Sequence, residues 1–401
     1  VGGKNRSVYL KHAVNKNRTQ VSVVADQIYF EVPDGVIMKK YIWCSMAILG
    51  CMAAQQSMAQ SQVTIYGLVD TGVVYTTNST AAGNAIFKIP GGTGSLPSRI
   101  GFKGTEDLGG GLQALFVLES GFAPDTGSLG QGNRLFGRQA FVGLKNSYGT
   151  VMLGRQPNMT FMSALKTDVM GPNIFSMSSI DPYIPNARSD NAIGYMGTFS
   201  GVTVGATYSF GRDSSTAGGP SATGCAGEVA GNAKACRQVT GLLGYDAASF
   251  GVTTSYDILY GNTGAANGLT SSDNFDRRTT LNGYVMIGNT KIGLGVMDRT
   301  TRAAAGLNTD SDLYYVGASY PFTAALTLDA EVARLNIRSS PNKSTLSVAR
   351  LTYSLSKRTA VYTSVGYMQN NGTAAIALDA GGTVGTGMNQ FGVMTGVRHF
   401  F

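Results

Sequence analysis

From residue 60 onward, apolar and polar positions alternate in short runs separated by turn-forming clusters. In Val202–Phe210 the even positions Val202, Val204, Ala206, Tyr208 and Phe210 are apolar, and the odd positions are Thr203, Gly205, Thr207 and Ser209. Phe250–Tyr260 repeats this, with Phe250, Val252, Thr254, Tyr256, Ile258 and Tyr260 on one face. In 326–332, Leu326, Leu328, Ala330 and Val332 alternate with Thr327, Asp329 and Glu331. The last run sets Phe391, Val393, Thr395, Val397, His399 and Phe401 against Gln390, Gly392, Met394, Gly396 and Arg398. A period of two is the signature of strands with two unlike faces.

The connections sharpen this reading. Short turns at Asp107–Gly110, Asn146–Gly149, Gly288–Thr290 and Ser356–Arg358 alternate with long loops at 76–97, 211–237, 261–277 and 370–387. Short turns at one end and long loops at the other mark an outer-membrane barrel. The pattern predicts sixteen strands, at 63–75, 98–106, 112–122, 135–145, 150–156, 190–199, 202–210, 238–246, 250–260, 278–287, 291–299, 312–320, 326–337, 344–354, 359–369 and 388–401. The expected fold is all-β, a 16-stranded antiparallel transmembrane β-barrel. A ring of about 16 strands leaves an aqueous channel, whereas about eight would be filled by side chains.

Composition supports lipid outside the strands. The chain carries 54 Gly, 19 Tyr and 17 Phe in 401 residues, and only 13% of residues are charged. After residue 60 no run approaches the roughly 18 consecutive apolar residues of a membrane helix. A chain that meets hydrocarbon without such helices must close its strands, because every backbone polar group needs a partner. The net charge of +8 divides into +4 for residues 1–59 and +4 for residues 60–401. That second figure is too mild for a nucleic-acid-binding protein.

The N-terminal part reads as addressing. Met38-Lys39-Lys40 is followed by an apolar stretch, 41–54, and by Ser57-Met58-Ala59. These are the three parts of a secretory signal peptide, 38–59, with cleavage expected before Gln60. Residues 1–37 then stand upstream of a signal and are expected to be a mis-assigned start, with the barrel at 60–401.

Alternation also assigns faces. If Ile100 and Phe102 meet lipid, Arg99 and Lys103 face the lumen, and by the same parity Glu119 opposes Leu112, Ala114, Phe116 and Leu118. A charge on the lipid face near the midplane costs about 2–4 kcal/mol, so mid-strand arginines should turn inward. Enzyme chemistry has little to work with: after residue 60 the one histidine is His399, on the apparent lipid face, and no metal cluster or Ser/His pairing is available. No cofactor or metal is expected. Cys225 and Cys236, eleven apart in the loop CAGEVAGNAKAC, are the cysteines left after signal removal, and in an oxidising compartment they are expected to pair.

Several runs resemble the general porins of Gram-negative bacteria, most closely the betaproteobacterial branch. QSQVTIYGLVDTGV, with Tyr66-Gly67 and Asp70, is similar to that family's first strand, and Ser98–Gly104 to its second. Arg138–Lys145 with Gly154-Arg155-Gln156 resembles the fourth and fifth strands, and Arg188–Asn191 through Tyr195 the sixth. The resemblance covers residues 60–401. It implies a long segment, Pro157–Asn186, folded inward as a constriction loop; composition alone leaves a plain external loop equally open. It implies a basic wall of Arg99, Arg138 and Arg188, with Asp70, Lys103, Glu119, Lys166 and Asp168 lining the pore. Phe401 becomes the assembly-signal residue read by the barrel-assembly machinery, although Phe400 stands where the family usually has a basic residue. The implied partners are two further copies in a homotrimer, outer-membrane lipid and lipopolysaccharide, and small solutes and ions. The function implied is a general diffusion porin, weakly anion-selective; a substrate-specific channel for a small anion or sugar is the alternative.

Overall fold

A computed structural model describes residues 62–215, 222–304 and 306–401. The signal peptide and the upstream segment read from the sequence lie outside the described residues. Among these residues sixteen long strands close into one antiparallel ring. They are β1 (Gln62–Thr76), β3 (Arg99–Gly109), β4 (Leu112–Gly121), β5 (Gln139–Asn146), β6 (Gly149–Pro157), β7 (Arg188–Phe199), β8 (Val202–Ser209) and β9 (Gln238–Asp246). The wall continues through β10 (Phe250–Tyr260), β11 (Phe275–Ile287), β12 (Thr290–Arg302), β13 (Thr309–Pro321), β14 (Leu326–Ile337), β15 (Lys343–Ser354), β16 (Thr359–Asn371) and β17 (Gln390–Phe400). A three-residue strand, β2 (Ile86–Lys88), pairs with the outer end of β1 inside the first long loop and is additional to the sixteen expected.

The first strand closes the ring by pairing on both sides. Its first half, Gln62–Leu68, runs against Thr105–Arg99 of β3, and its second half, Leu68–Thr76, against Phe400–Gly392 of β17. Beyond the last strand, the Phe401 N–H donates to the Gly67 carbonyl at 3.1 Å and the Gly67 N–H donates to the Phe401 carbonyl at 3.2 Å. No sheet edge is left open, the condition for a sheet in hydrocarbon.

The alternation has the sense read from the sequence. Val63, Ile65, Val69, Val73, Val142, Leu144, Leu294, Val316, Val332 and Val397 are exposed on the outside. Aromatic pairs sit at both rims of this apolar band: Tyr208–Phe210 with ring centroids 5.3 Å apart at the long-loop end, and Tyr320–Phe322 at 5.0 Å at the short-turn end. Aromatic girdles at the two membrane interfaces are characteristic of such barrels. Strands β11 and β12 run longer than the periodicity suggested, to Phe275 and Arg302. Charged Asp276-Arg277 reads as loop and Arg278 as the start of a strand, yet in the barrel all three lie in β11, with Asp276 and Arg278 turned inward to a shared ion network and Arg277 on the other face.

The apolar part of the interior lies on one side only. Val74, Met297, Leu313, Ala333, Leu346, Tyr362, Met368 and Met394 on the inner wall pack with Met170, Ile174, Phe175, Met177, Ile180 and Ile184. The second group belongs to the segment between β6 and β7, which is therefore inside the barrel.

Candidate pore constriction

The connection 158–187 begins where Asn158 caps a short helix, Met159–Ala164: its side-chain oxygen accepts the N–H groups of Thr160 at 3.1 Å and Phe161 at 3.4 Å. The helix lies against the inner faces of β9 and β10, with the Thr160 hydroxyl donating to Asp257 at 2.8 Å and the Thr253 hydroxyl to the Ser163 carbonyl at 2.8 Å. Glycines on the wall let the loop approach; a Cβ on Gly293 would stand 1.8 Å from the Thr167 carbonyl oxygen. Next, Arg350 on β15 takes hold of the backbone, donating to the carbonyls of Met170 at 3.0 Å and Val169 at 3.4 Å and to Asp329 at 2.8 Å. Phe175 then packs over Gly392, and the return leg is fixed by Asp181, which pairs with Arg278 at 3.2 Å, and by Tyr183, whose hydroxyl donates to Asp257. The loop thus follows the wall from β9 to β17 and comes back, which narrows the lumen and pushes the open passage towards β3–β7.

That remaining wall carries the arginines. Glu119 on β4 is at its centre: Arg138 Nε donates to Oε1 at 2.6 Å, the Tyr66 hydroxyl donates to Oε2 at 2.9 Å, and Arg99 Nε lies 3.7 Å from Oε2. Arg188 interacts with the like charges of Arg138, Arg155 and Arg212, and with Glu119 as the acid in range. Arg99 and Arg138 therefore share one carboxylate, and Arg188, which donates to the Asn186 side chain at 3.4 Å, stands in the same field without pairing to it. A second network beside it is balanced, with Arg134 and Arg155 on Asp190 and Asp213. Of the three wall arginines, Arg99 has 23% of its side chain exposed, whereas the Arg138 and Arg188 residues are 8% and 4% exposed.

Lys103 is exposed on the inner face, its ammonium 5.3 Å from the Tyr66 ring centroid. Lys166, also exposed, pairs with Asp246 at 2.5 Å. Asp168 is half-buried rather than exposed: it accepts the Gly171 N–H at 2.7 Å and stands against Glu331 on the wall. Burial pushes its carboxyl above the usual range, opposed by the Gly171 N–H and, more weakly, by Arg350. Asp70 corrects the sequence reading. It is fully buried, accepting from the Ser95 hydroxyl at 2.6 Å, the Leu96 N–H at 2.8 Å and the Tyr362 hydroxyl. It ties segment 95–98 to the inner wall, and that segment covers it from the lumen. The family resemblance placed Asp70 in the pore lining but gave no sign of what lies over it.

Cys225 and Cys236 are joined by a disulfide, with Cα atoms 5.3 Å apart. Arg155, Arg212, Arg278 and Arg350, with Asp257, Asp276, Asp329 and Glu331, are among the inner charges that the sequence did not single out as site residues. Arg155 stood in a quoted motif, and Arg278 began a predicted strand.

The family model for Gram-negative porins matches residues 45–373. The chain belongs to this family. Outer membrane porin protein 32 of Delftia acidovorans is 29% identical to this porin over 383 residues, covering 91% of this chain and all of that protein. An anion-selective porin from Comamonas acidovorans has a superposable structure, with a TM-score of 0.71 and 26% identity over 85% of this chain and 100% of that one. The trimer form of OmpT from Vibrio cholerae shares the fold, with a TM-score of 0.58 at 15% identity over 85% of this chain and 99% of that one. This porin is an outer-membrane channel that passes small hydrophilic solutes passively, and it is not an enzyme.

Proposed function

We propose that this porin prefers anions and that Arg99, Arg138 and Arg188 carry the preference. The observation behind this reading is that Glu119 is paired with both Arg99 and Arg138, while Arg188 beside them has no carboxylate of its own within ion-pair distance among the described residues. Rings of fixed charge in a narrow pore set ion preference. Several acids elsewhere in the barrel are balanced by their own cations: Asp329 is paired with Arg350, Asp276 with Arg278 and Arg299, and Asp181 with Arg278. Lys103 adds positive charge on the lumen side, Lys166 is paired with Asp246, and Asp168 is half-buried against Glu331. The anion selectivity of the Comamonas neighbour agrees with this assignment.

Reconstitution in planar bilayers tests it. The zero-current potential in a salt gradient should report anion preference for the native pore. Replacing Arg99, Arg138 and Arg188 together by Gln should move that potential towards cations, with stepwise conductance retained. A native pore that prefers cations would refute the assignment.

The same reading extends to assembly. Three copies associate through an outer face without charges, to which β16, β17 and β1 contribute Val361, Val365, Val397, Val69 and Val73. The terminal Phe401, seated over Gly67, is the mark by which the assembly machinery reads the last strand. Crosslinking before and after heating in detergent distinguishes a trimer from a monomer.

A further inference from the structure

A buried arginine joins the outer loop after β8 to the constriction. Arg212 lies just beyond β8 and is 1% exposed. Its peptide is held on both sides: its N–H donates to the Cys236 carbonyl at 3.1 Å, and its carbonyl accepts the Asp190 N–H at 2.8 Å. The next residue is held by the other half-cystine, since Asp213 and Cys225 exchange backbone hydrogen bonds of 3.3 and 2.6 Å. The disulfide between Cys225 and Cys236 thus fixes the two strands of chain that grip residues 212 and 213. Close backbone contact tightens the grip, as a Cβ on Gly211 would stand 1.6 Å from the Ala226 carbonyl oxygen.

From this anchored backbone the Arg212 side chain reaches inward to two parts of the constriction. Its Nε donates to the carbonyl of Arg188, a residue of the basic wall, at 3.1 Å. Its guanidinium lies 4.9 Å from the Tyr183 ring centroid, with Arg278 4.2 Å from the same centroid. Tyr183 is on the return leg of the infolded loop, and its hydroxyl accepts from Asn158 at 2.7 Å and Gln238 at 2.6 Å while donating to Asp257. Desolvated cation–π contacts of this kind are among the stronger side-chain interactions.

We propose that Arg212 is a positioning residue for the pore, and that the Cys225–Cys236 disulfide sets its place, so that an outer-loop bond controls the register of the constriction. The inference rests on the reading of the Arg99–Arg138–Arg188 wall as the selectivity site. Reduction by an added dithiol splits the disulfide into two thiols, the reagent giving two electrons and two protons and becoming a cyclic disulfide. The clamp on residues 212 and 213 is then lost, and Tyr183 and the Arg188 backbone lose a common partner.

The test uses the full-length pore inserted in planar bilayers in potassium chloride. Dithiothreitol added on the long-loop side should turn one open level into several and bring the zero-current potential closer to zero. Cys225→Ser with Cys236→Ser should do the same without reductant and be insensitive to it. Arg212→Met should match the double serine variant, and combining all three changes should add no further effect. If the serine variant fails to assemble, reduction of native channels already inserted decides the question. Unchanged conductance and potential after verified reduction would overturn the proposal, as would independent, additive effects of Arg212→Met and the cysteine changes. Loss of selectivity in the Arg99, Arg138 and Arg188 variant without any effect of reduction would leave the wall reading intact and remove only the clamp.

Discussion

Glu119 takes Arg138, Tyr66 and Arg99 at once, through contacts of 2.6, 2.9 and 3.7 Å. Its carboxylate lowers the cost of gathering like charges and also subtracts from the positive field that they produce. Glu119→Gln should therefore raise anion preference, read as a larger zero-current potential of the same sign. The same change should lower thermal stability, because a guanidinium left without its carboxylate loses a charge-assisted bond worth about 1.5–3 kcal/mol. An unchanged potential would mean that this carboxylate is outside the path that ions sense. Asp70 shows why residue identity alone misleads. It has the parity of a pore-lining acid, but its oxygens are taken by Ser95, Leu96 and Tyr362.

At the scale of elements, the infolded loop depends on contacts between distant parts of the chain. Asp168 meets Glu331 beside Arg350, and Arg350 holds the loop carbonyls of Val169 and Met170. Because burial raises the Asp168 carboxyl and Glu331 stands against it, a proton held between the two carboxyls fits the docked loop. The docking contribution is full below the usual carboxylate range and is lost as pH rises through the raised value. Channels should thus show more closures or conductance noise as pH rises, and Asp168→Asn should flatten that dependence. Recording between acidic and neutral pH checks it; a dependence that survives in the variant would point to another group. The strands themselves were legible, since one face meets hydrocarbon and the other does not, and that contrast writes a period of two. The docking partners of the loop were not legible: Asp257 is 74 residues from Tyr183 and Arg350 is 180 from Met170, and periodicity carries no information on such pairs. The charged run 275–278 was partly hidden for the opposite reason, as an inward ion network resembles a solvated loop in composition.

For the molecule as a whole, closure is the feature on which the rest depends. The ring is completed where Phe401 pairs with Gly67, and a Cβ at position 67 would stand 2.2 Å from the Phe401 ring and 2.7 Å from the Arg99 carbonyl oxygen. Gly67→Ala should cost about 1–3 kcal/mol through this overlap. It should appear as slower assembly and a lower heat-modification temperature in detergent, with single-channel conductance of the assembled pores unchanged. Wild-type assembly in that variant would show that the ends of the chain tolerate displacement.

If water fills the cylinder and the proposed arginine wall sets the field at its narrow part, thiol labelling from the long-loop side reports both. Lys103→Cys would place a thiol on the inner face and Ile100→Cys one on the lipid face, with both native cysteines of the barrel held in their disulfide. A negatively charged, membrane-impermeant thiol reagent should modify position 103 faster than its positively charged counterpart, and both should leave position 100 nearly unreacted. Faster labelling by the cation at position 103, or ready labelling at position 100, would contradict the account.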